Sequence, residues 1–233
     1  MTGLFIAGTD TGIGKTLITA TLLAWLRRRG RVALPVKPVQ TGWPADDDVG
    51  AALRAAGLLV QPALLRRLTP FRYRLAASPH LAARGRLTVA RLAAATREAV
   101  PATTFALVEG AGGVLVPLNG TETQRDLMAA LTLPVLLVTR AGLGTLNHTL
   151  LSLEALRAVK LNVLGVVLNQ RPGESWGRIE RDNLHTLAAR AGCPVVRFRP
   201  VEVPTIGKDL ARIVGKHRGA ATTPALSRVV APP

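Results

Sequence analysis

Cysteine is almost missing from this chain. Cys193 is the only one in 233 residues, which excludes an internal disulfide and a multi-cysteine metal site. Placed just before Pro194, it reads as a structural residue. Aromatic residues make up 3%, too few for the stacking platforms that hold single-stranded nucleic acid. No apolar run reaches the roughly 18 residues of a membrane-spanning helix. The chain opens on the strand-like Leu4-Phe5-Ile6 and not on a charged stretch leading into an apolar signal segment, so a soluble, cytoplasmic protein is expected. There is no internal repeat. Acid is scarce too: 14 carboxylates face 30 lysines and arginines, a formal net charge of +16. Such an excess first suggests a polyanionic partner. The arginines are scattered from Arg27 to Arg228 without aromatic company, so neither nucleic acid nor a membrane is expected as partner.

What is present is a globular composition, 48% hydrophobic and 19% charged. Apolar, β-branched runs at Leu4 to Ala7, Val32 to Val36, Phe105 to Val108, Val135 to Val138 and Val163 to Leu168 read as strands. Helix-period segments lie between them: Lys15 to Arg29, Val49 to Leu59, Leu87 to Ala99, Asn147 to Ala158 and Arg178 to Ala191. The alternation predicts a doubly wound, mostly parallel α/β sheet with helices on both faces, in one domain over residues 1–214. Residues 215–233, rich in Gly, Ala, Thr and Pro, read as a frayed tail. In such sheets ligands bind where strands end, so chemistry is sought directly after each strand.

Only five of the basic residues are lysines, and two of them, Lys15 and Lys37, lie in loops marked by glycine or proline. After the first strand comes GTDTGIGKT, Gly8 to Thr16, followed at once by the apolar LITATLLAWL. Strand, glycine loop and helix in that order form a phosphate-binding context, in which backbone N–H groups turn toward phosphate and the helix start adds a favourable dipole. Lys15 is placed to reach the β- and γ-phosphates and the Thr16 hydroxyl to bind Mg2+. Five residues, not the usual four, separate Gly8 from Gly14. ATPases that partition DNA or position division sites carry a second lysine five residues before the loop lysine. Here that position is Asp10, which argues against that class.

The second strand runs into VKPVQTGW and sets Lys37 at its end. A lysine there needs an anion to offset its desolvation, which bound phosphate supplies, unless its stem lies along the sheet with the head in solvent. Three acids fall together at Asp46, Asp47 and Asp48. The first two fit a solvated loop. Asp48 stands where a helix N-cap belongs, so capping alone or a carboxylate presented to Mg2+ both account for it. Glu109 ends the apolar ALV and precedes GAGG; a carboxylate there needs a counter-ion, and Mg2+ suits it. The glycines after it either permit close backbone approach to a developing oxyanion or serve only as turns.

GTDTGIGKT, KPVQTG, the aspartate at 48, SPH at Ser78 to His80, VEGAGG at Val108 to Gly113 and LGTLNHT at Leu143 to Thr149, in this order and spacing, resemble the dethiobiotin synthetases. The resemblance spans Gly8 to about Pro204. It implies a homodimer that uses MgATP to convert 7,8-diaminopelargonic acid and CO2 to dethiobiotin. It also implies roles. Thr11, Gly12, Ile13, Gly14, Lys15 and Thr16 would surround the nucleotide phosphates, with Glu109 and Gly112 beside them, and Thr16, Asp48 and Glu109 would hold Mg2+. Lys37, with Lys15, would act on the carbamate and the transferred phosphoryl group. Thr41 and Gly113 would meet the diamine end, while Leu143 and Asn147 receive the carboxylate tail across a subunit interface; Asn169 and Pro204 would contact adenine. His80 and His148 read as ordinary polar residues. Two other classes stay open: an ATPase switch on DNA or membrane, and a cobyrinic-acid-amidating ligase, for which no ammonia-delivering domain is evident.

Overall fold

The computed structural model describes residues 1–170, 173–199 and 208–215, without the side chains of 208–211. Six parallel strands form the central sheet: β1 (Thr2–Gly8), β2 (Ala33–Val36), β5 (Phe105–Glu109), β6 (Val135–Arg140), β7 (Val163–Asn169) and β8 (Val195–Phe198). Their order is β2-β5-β1-β6-β7-β8, so β1 runs down the middle. Every residue of β5, and all of β1 after Thr2, is buried. Burial on both faces is what the near-continuous apolar runs require. Two short strands, β3 (Val39–Thr41) and β4 (Phe71–Tyr73), pair in parallel beside this sheet.

The helices are α1 (Lys15–Arg28), α2 (Asp48–Ala55), α3 (Pro62–Leu68), α4 (Pro79–Ala82), α5 (Val89–Glu98), α6 (Gln124–Leu131), α7 (Thr145–Ala158), α8 (Arg178–Arg190) and α9 (Lys208–Gly215). α1 leaves the phosphate loop and packs on β1, β2 and β5. Its buried Ile18, Leu22, Leu23 and Leu26 join one core with Leu4, Ile6, Leu107 and Leu136.

The expected strands and the helices after β1 and β7 stand within two residues of their expected bounds. α2 is shorter than Val49 to Leu59, for a local reason. Gly57, at φ 70°, lets the Leu58 N–H return to the Leu53 carbonyl at 2.9 Å and that of Gly57 to Arg54 at 2.9 Å, the paired bonds that close a helix end. α5 starts at Val89 because the Thr88 side chain caps it. The N-cap of α2 is Asp47, whose carboxylate accepts from the Gly50 N–H at 2.8 Å; Asp48 is the first helical residue, and capping does not account for it. Short α3, α4, β3 and β4 carry too few residues for a periodic signal, and α6 and β8 were not expected.

Candidate active site

Five loops leave the carboxyl ends of the strands and surround a cavity of about 680 Å3. The first follows β1. Gly14 sits at φ 97°, and a Cβ there would collide with the Asn169 amide, so only glycine lets the chain turn into α1 at this point. The Asn169 Nδ2 in turn donates to the Ile13 carbonyl at 2.8 Å, tying the end of β7 to the loop. Its Oδ1 is buried without a hydrogen-bond partner. Lys15 donates from Nζ to the Asp10 carbonyl at 2.7 Å and to the Gly112 carbonyl at 2.9 Å, which pins the loop to the one after β5.

Lys37 follows β2 and is 5% exposed. Its ammonium has three acceptors: Asp48 Oδ2 at 2.7 Å, Glu109 Oε1 at 2.8 Å and the Gly110 carbonyl at 3.1 Å. Protein carboxylates, not phosphate alone, therefore offset its desolvation, and Glu109 finds its counter-ion in Lys37. Burial pulls the Lys37 ammonium pKa down, but Glu109 and Asp48 outweigh it and hold the group above its ordinary value. For Asp48, burial pushes the carboxyl up; Lys37 and the Thr16 hydroxyl outweigh that and hold it below its ordinary value. Lys15 differs. Burial and then the nearby Lys37 charge bring it down to about 8, against weaker support from Glu109, Asp48 and Asp10.

Thr16 Oγ1 lies 3.0 Å from Asp48 Oδ1 and 2.9 Å from Glu109 Oε1. A hydroxyl and two carboxylates, all hard oxygen donors, are the set that suits Mg2+ completed by phosphate oxygens. Among the described residues no group of three or more His, Cys, Asp or Glu is placed to hold a metal by itself, so a metal here depends on Thr16 and on the nucleotide. Thr19, one turn further along α1, donates to Glu109 Oε2 at 2.9 Å and fixes the carboxylate. Thr19 belongs to none of the sequence motifs, although its spacing from Lys15 and Thr16 puts it on the same helix face.

Thr11, Gly12, Gly14, Lys15, Thr16, Lys37, Thr41, Asp48, Glu109 and Gly112 all line this cavity. Gly113 packs behind it, where a Cβ would come within 3.0 Å of the Thr9 carbonyl. Leu143 and Asn147 stand exposed at the start of α7, outside the cavity of this chain. Pro204 lies outside the described residues. The cavity wall also includes Val39 and Gln40 of KPVQTG, Ser78 and Pro79 of SPH, Asp46, which reads from the sequence as a solvated-loop acid, and Ala76 and Ala77, which lie in no motif. His80 is exposed, its Nδ1 2.8 Å from Ser78 Oγ, and His148 is exposed on α7. Half-buried Cys193 has its thiol pushed up by burial, as befits an unreactive residue. No helix among the described residues is long and apolar enough to cross a membrane.

Among solved structures, the chloroplast FtsY of Physcomitrella patens superposes with a TM-score of 0.54 at 16% identity, over 91% of this chain and 64% of that one. A ParA family ATPase from Chlorobium tepidum TLS gives 0.50 at 12% identity over 94% of both. These likenesses establish the doubly wound α/β fold alone. A family model described as an AAA domain matches residues 2–204. The ATP-dependent dethiobiotin synthetase BioD of Haloferax mediterranei is 41% identical over 85% of this chain and 84% of its own. That of Anaeromyxobacter sp. (strain Fw109-5) is 47% identical over 93% and 87%. With identities of this size over most of both chains, this chain belongs to the ATP-dependent dethiobiotin synthetase family.

Proposed function

We propose that this protein closes the ureido ring of dethiobiotin from 7,8-diaminopelargonic acid, CO2 and ATP, releasing ADP and phosphate in biotin biosynthesis. One observation carries the reading at the level of the site. Two lysines and two carboxylates converge with Thr16 at one end of a cavity whose other wall, Thr41 and Ala76 to Pro79, is mostly small and uncharged. The charged end suits a nucleotide and the other wall a flexible diamine.

CO2 adds to one amine to give a carbamate. A carbamate oxygen takes the γ-phosphoryl group of ATP, and ADP leaves. The second amine then attacks the carbonyl carbon of the mixed anhydride, expels phosphate and closes the ring. No covalent bond to the protein forms, so catalysis is positioning and charge stabilisation. Loop N–H groups from Thr11 to Thr16 and the Lys15 ammonium hold the phosphates. Lys37 neutralises charge on the carbamate and the transferred phosphoryl group. Thr41 and Gly113 orient the diamine end, and Asn169, through its unpartnered Oδ1, accepts from the adenine amino group; the family resemblance gives Pro204, outside the described residues, a role in contacting adenine. Thr16, Asp48 and Glu109 would hold Mg2+, which would supply Lewis-acid stabilisation of the phosphate oxygens. Leu143 and Asn147 receive the substrate carboxylate of the neighbouring subunit in a cytoplasmic homodimer. Residues 1–214 act as one domain without nucleic acid or membrane.

The test is direct: the purified protein, given diaminopelargonate, bicarbonate and MgATP, forms dethiobiotin with one ADP per product. ATP hydrolysis equally fast without the diamine, or only with DNA, would overturn the reading.

A further inference from the structure

β1 and β6 are paired as far as Gly8 and Val138, and the next two residues of each strand extend that pairing with side chains. Thr9 Oγ1 donates to Thr139 Oγ1 at 3.1 Å, and Arg140 Nη2 donates to Asp10 Oδ2 at 2.7 Å. From Thr139 the contacts run on into the first turn of α7. The Thr139 and Thr145 hydroxyls are 2.8 Å apart, those of Thr145 and Thr149 3.4 Å, and Thr149 donates back to Thr139 at 3.0 Å. Thr139, Thr145 and Thr149 are all 0% exposed.

A hydroxyl donates once and accepts twice. Thr139 accepts from Thr9 and from Thr149, so its own proton goes to Thr145, and that of Thr145 goes to Thr149. One donor direction therefore closes a ring of three hydroxyls, with Thr9 as the donor entering from the phosphate loop. The N-cap of α7 is Gly144, at φ 89°, with no side-chain cap. This ring takes the place of a side-chain cap in orienting the helix start.

We propose that Thr139 is a positioning residue for ring closure: its hydroxyl holds the first turn of α7, with Leu143 and Asn147, in one geometry against the phosphate loop. The inference rests on the reading that this turn receives the substrate carboxylate. A substrate gripped by its tail and reacting at its amines transmits a displacement of the grip of ~1 Å to the reacting end. The loop itself keeps other anchors, namely the Thr9 N–H on the Val138 carbonyl at 3.0 Å, the Asp10–Arg140 pair and the Lys15 bonds. Loss of the ring therefore falls on the tail end and not on the nucleotide.

Thr139→Val removes the hydroxyl at nearly constant shape, and Thr139→Ser keeps it. With Thr139→Val, the KM for diaminopelargonate is expected to rise roughly tenfold or more, while that for ATP changes less than about threefold. Thr139→Ser should stay close to the unmodified protein. As a control, Thr96→Val removes another buried hydroxyl, one bonded to the Leu92 carbonyl of its own helix at 2.6 Å, and should move neither constant. A second readout needs no catalysis. MgADP should slow backbone hydrogen exchange over residues 143–149 in the unmodified and serine proteins but not in the valine variant. An unchanged diamine KM together with unchanged exchange in Thr139→Val overturns the proposal, as do equal impairment by serine and valine or equal rises in both KM values. If the unmodified protein turns over no diamine, the activity reading fails and the exchange measurement alone decides on the ring. Should Thr139→Val not fold, Thr145→Val cuts the ring from the helix side and is read the same way.

Discussion

Replacing Lys37 by arginine keeps the charge and changes only its shape. The ammonium offers three N–H groups from one nitrogen, and three acceptors converge on it at 2.7, 2.8 and 3.1 Å, from Asp48, Glu109 and Gly110. A guanidinium spreads five N–H groups over a planar fork and cannot meet three acceptors at a point. At 5% exposure there is also no solvent-facing room for the larger group. Overpacking of this kind costs ~1–3 kcal/mol. At roughly 2–4 °C per kcal/mol for a domain of this size, the melting temperature should fall by about 2–12 °C. The displaced charge is expected to reduce kcat about 100-fold, near 3 kcal/mol of transition-state stabilisation, with ATP affinity changed less than about threefold. Single-turnover rates, ATP binding and thermal melting on the same preparation give all three numbers. If kcat is kept, Lys37 is only a balancing charge. If ATP affinity falls as much as kcat, it acts on the bound nucleotide in the ground state.

Lys15, brought down to about 8 by burial, is half neutral at that pH, and phosphate binding should recharge it. Calorimetry at pH 8 in two buffers of different ionisation enthalpy should therefore show uptake of about half a proton per MgATP, rising toward one at higher pH; Lys15→Met should show none, and no uptake by the unmodified protein refutes the assignment. Glu109→Gln and Asp48→Asn should each weaken Mg2+ dependence and turnover. The stability loss should be larger at Glu109, ~2 kcal/mol, since its side chain is 5% exposed against 27% for Asp48 and its loss leaves the buried Lys37 paired only with the more exposed Asp48 carboxylate; Mg2+ titrations that coincide with the unmodified protein remove both from the metal shell. Asn169→Leu removes the unpartnered acceptor, so the ratio of kcat/KM for ATP over GTP should shrink about tenfold or more, and an unchanged ratio refutes base recognition there.

The phosphate loop was legible because its information is local. β1, the glycines, Lys15 and α1 are contiguous, and their order alone says where phosphate sits. The central strands were legible because burial on both faces leaves an unbroken apolar run. Short elements were not, since three residues in β3 or four in α4 cannot display a period. Thr19 was within reach of helical spacing, whereas Ala76 and Ala77 carry no chemistry in their residue types and become cavity wall only through the fold.

Sequence alone, then, determined the alternation of the five long strand runs with helices, the phosphate loop and the residues placed at strand ends, because each depends on neighbours a few positions away. It could not say which of three adjacent aspartates meets Thr16 and Lys37. That depends on Asp47 capping α2 and on packing that turns Asp48 toward Thr16, 32 residues away. Nor could it show that Lys37 and Glu109, 72 residues apart, neutralise each other, or that Asp10 meets Arg140 across 130 residues. Hydrogen bonds and ion pairs act over about 3 Å. Only the parallel register of β2, β5, β1 and β6, held by a core far from the chemistry, brings such distant residues to that range.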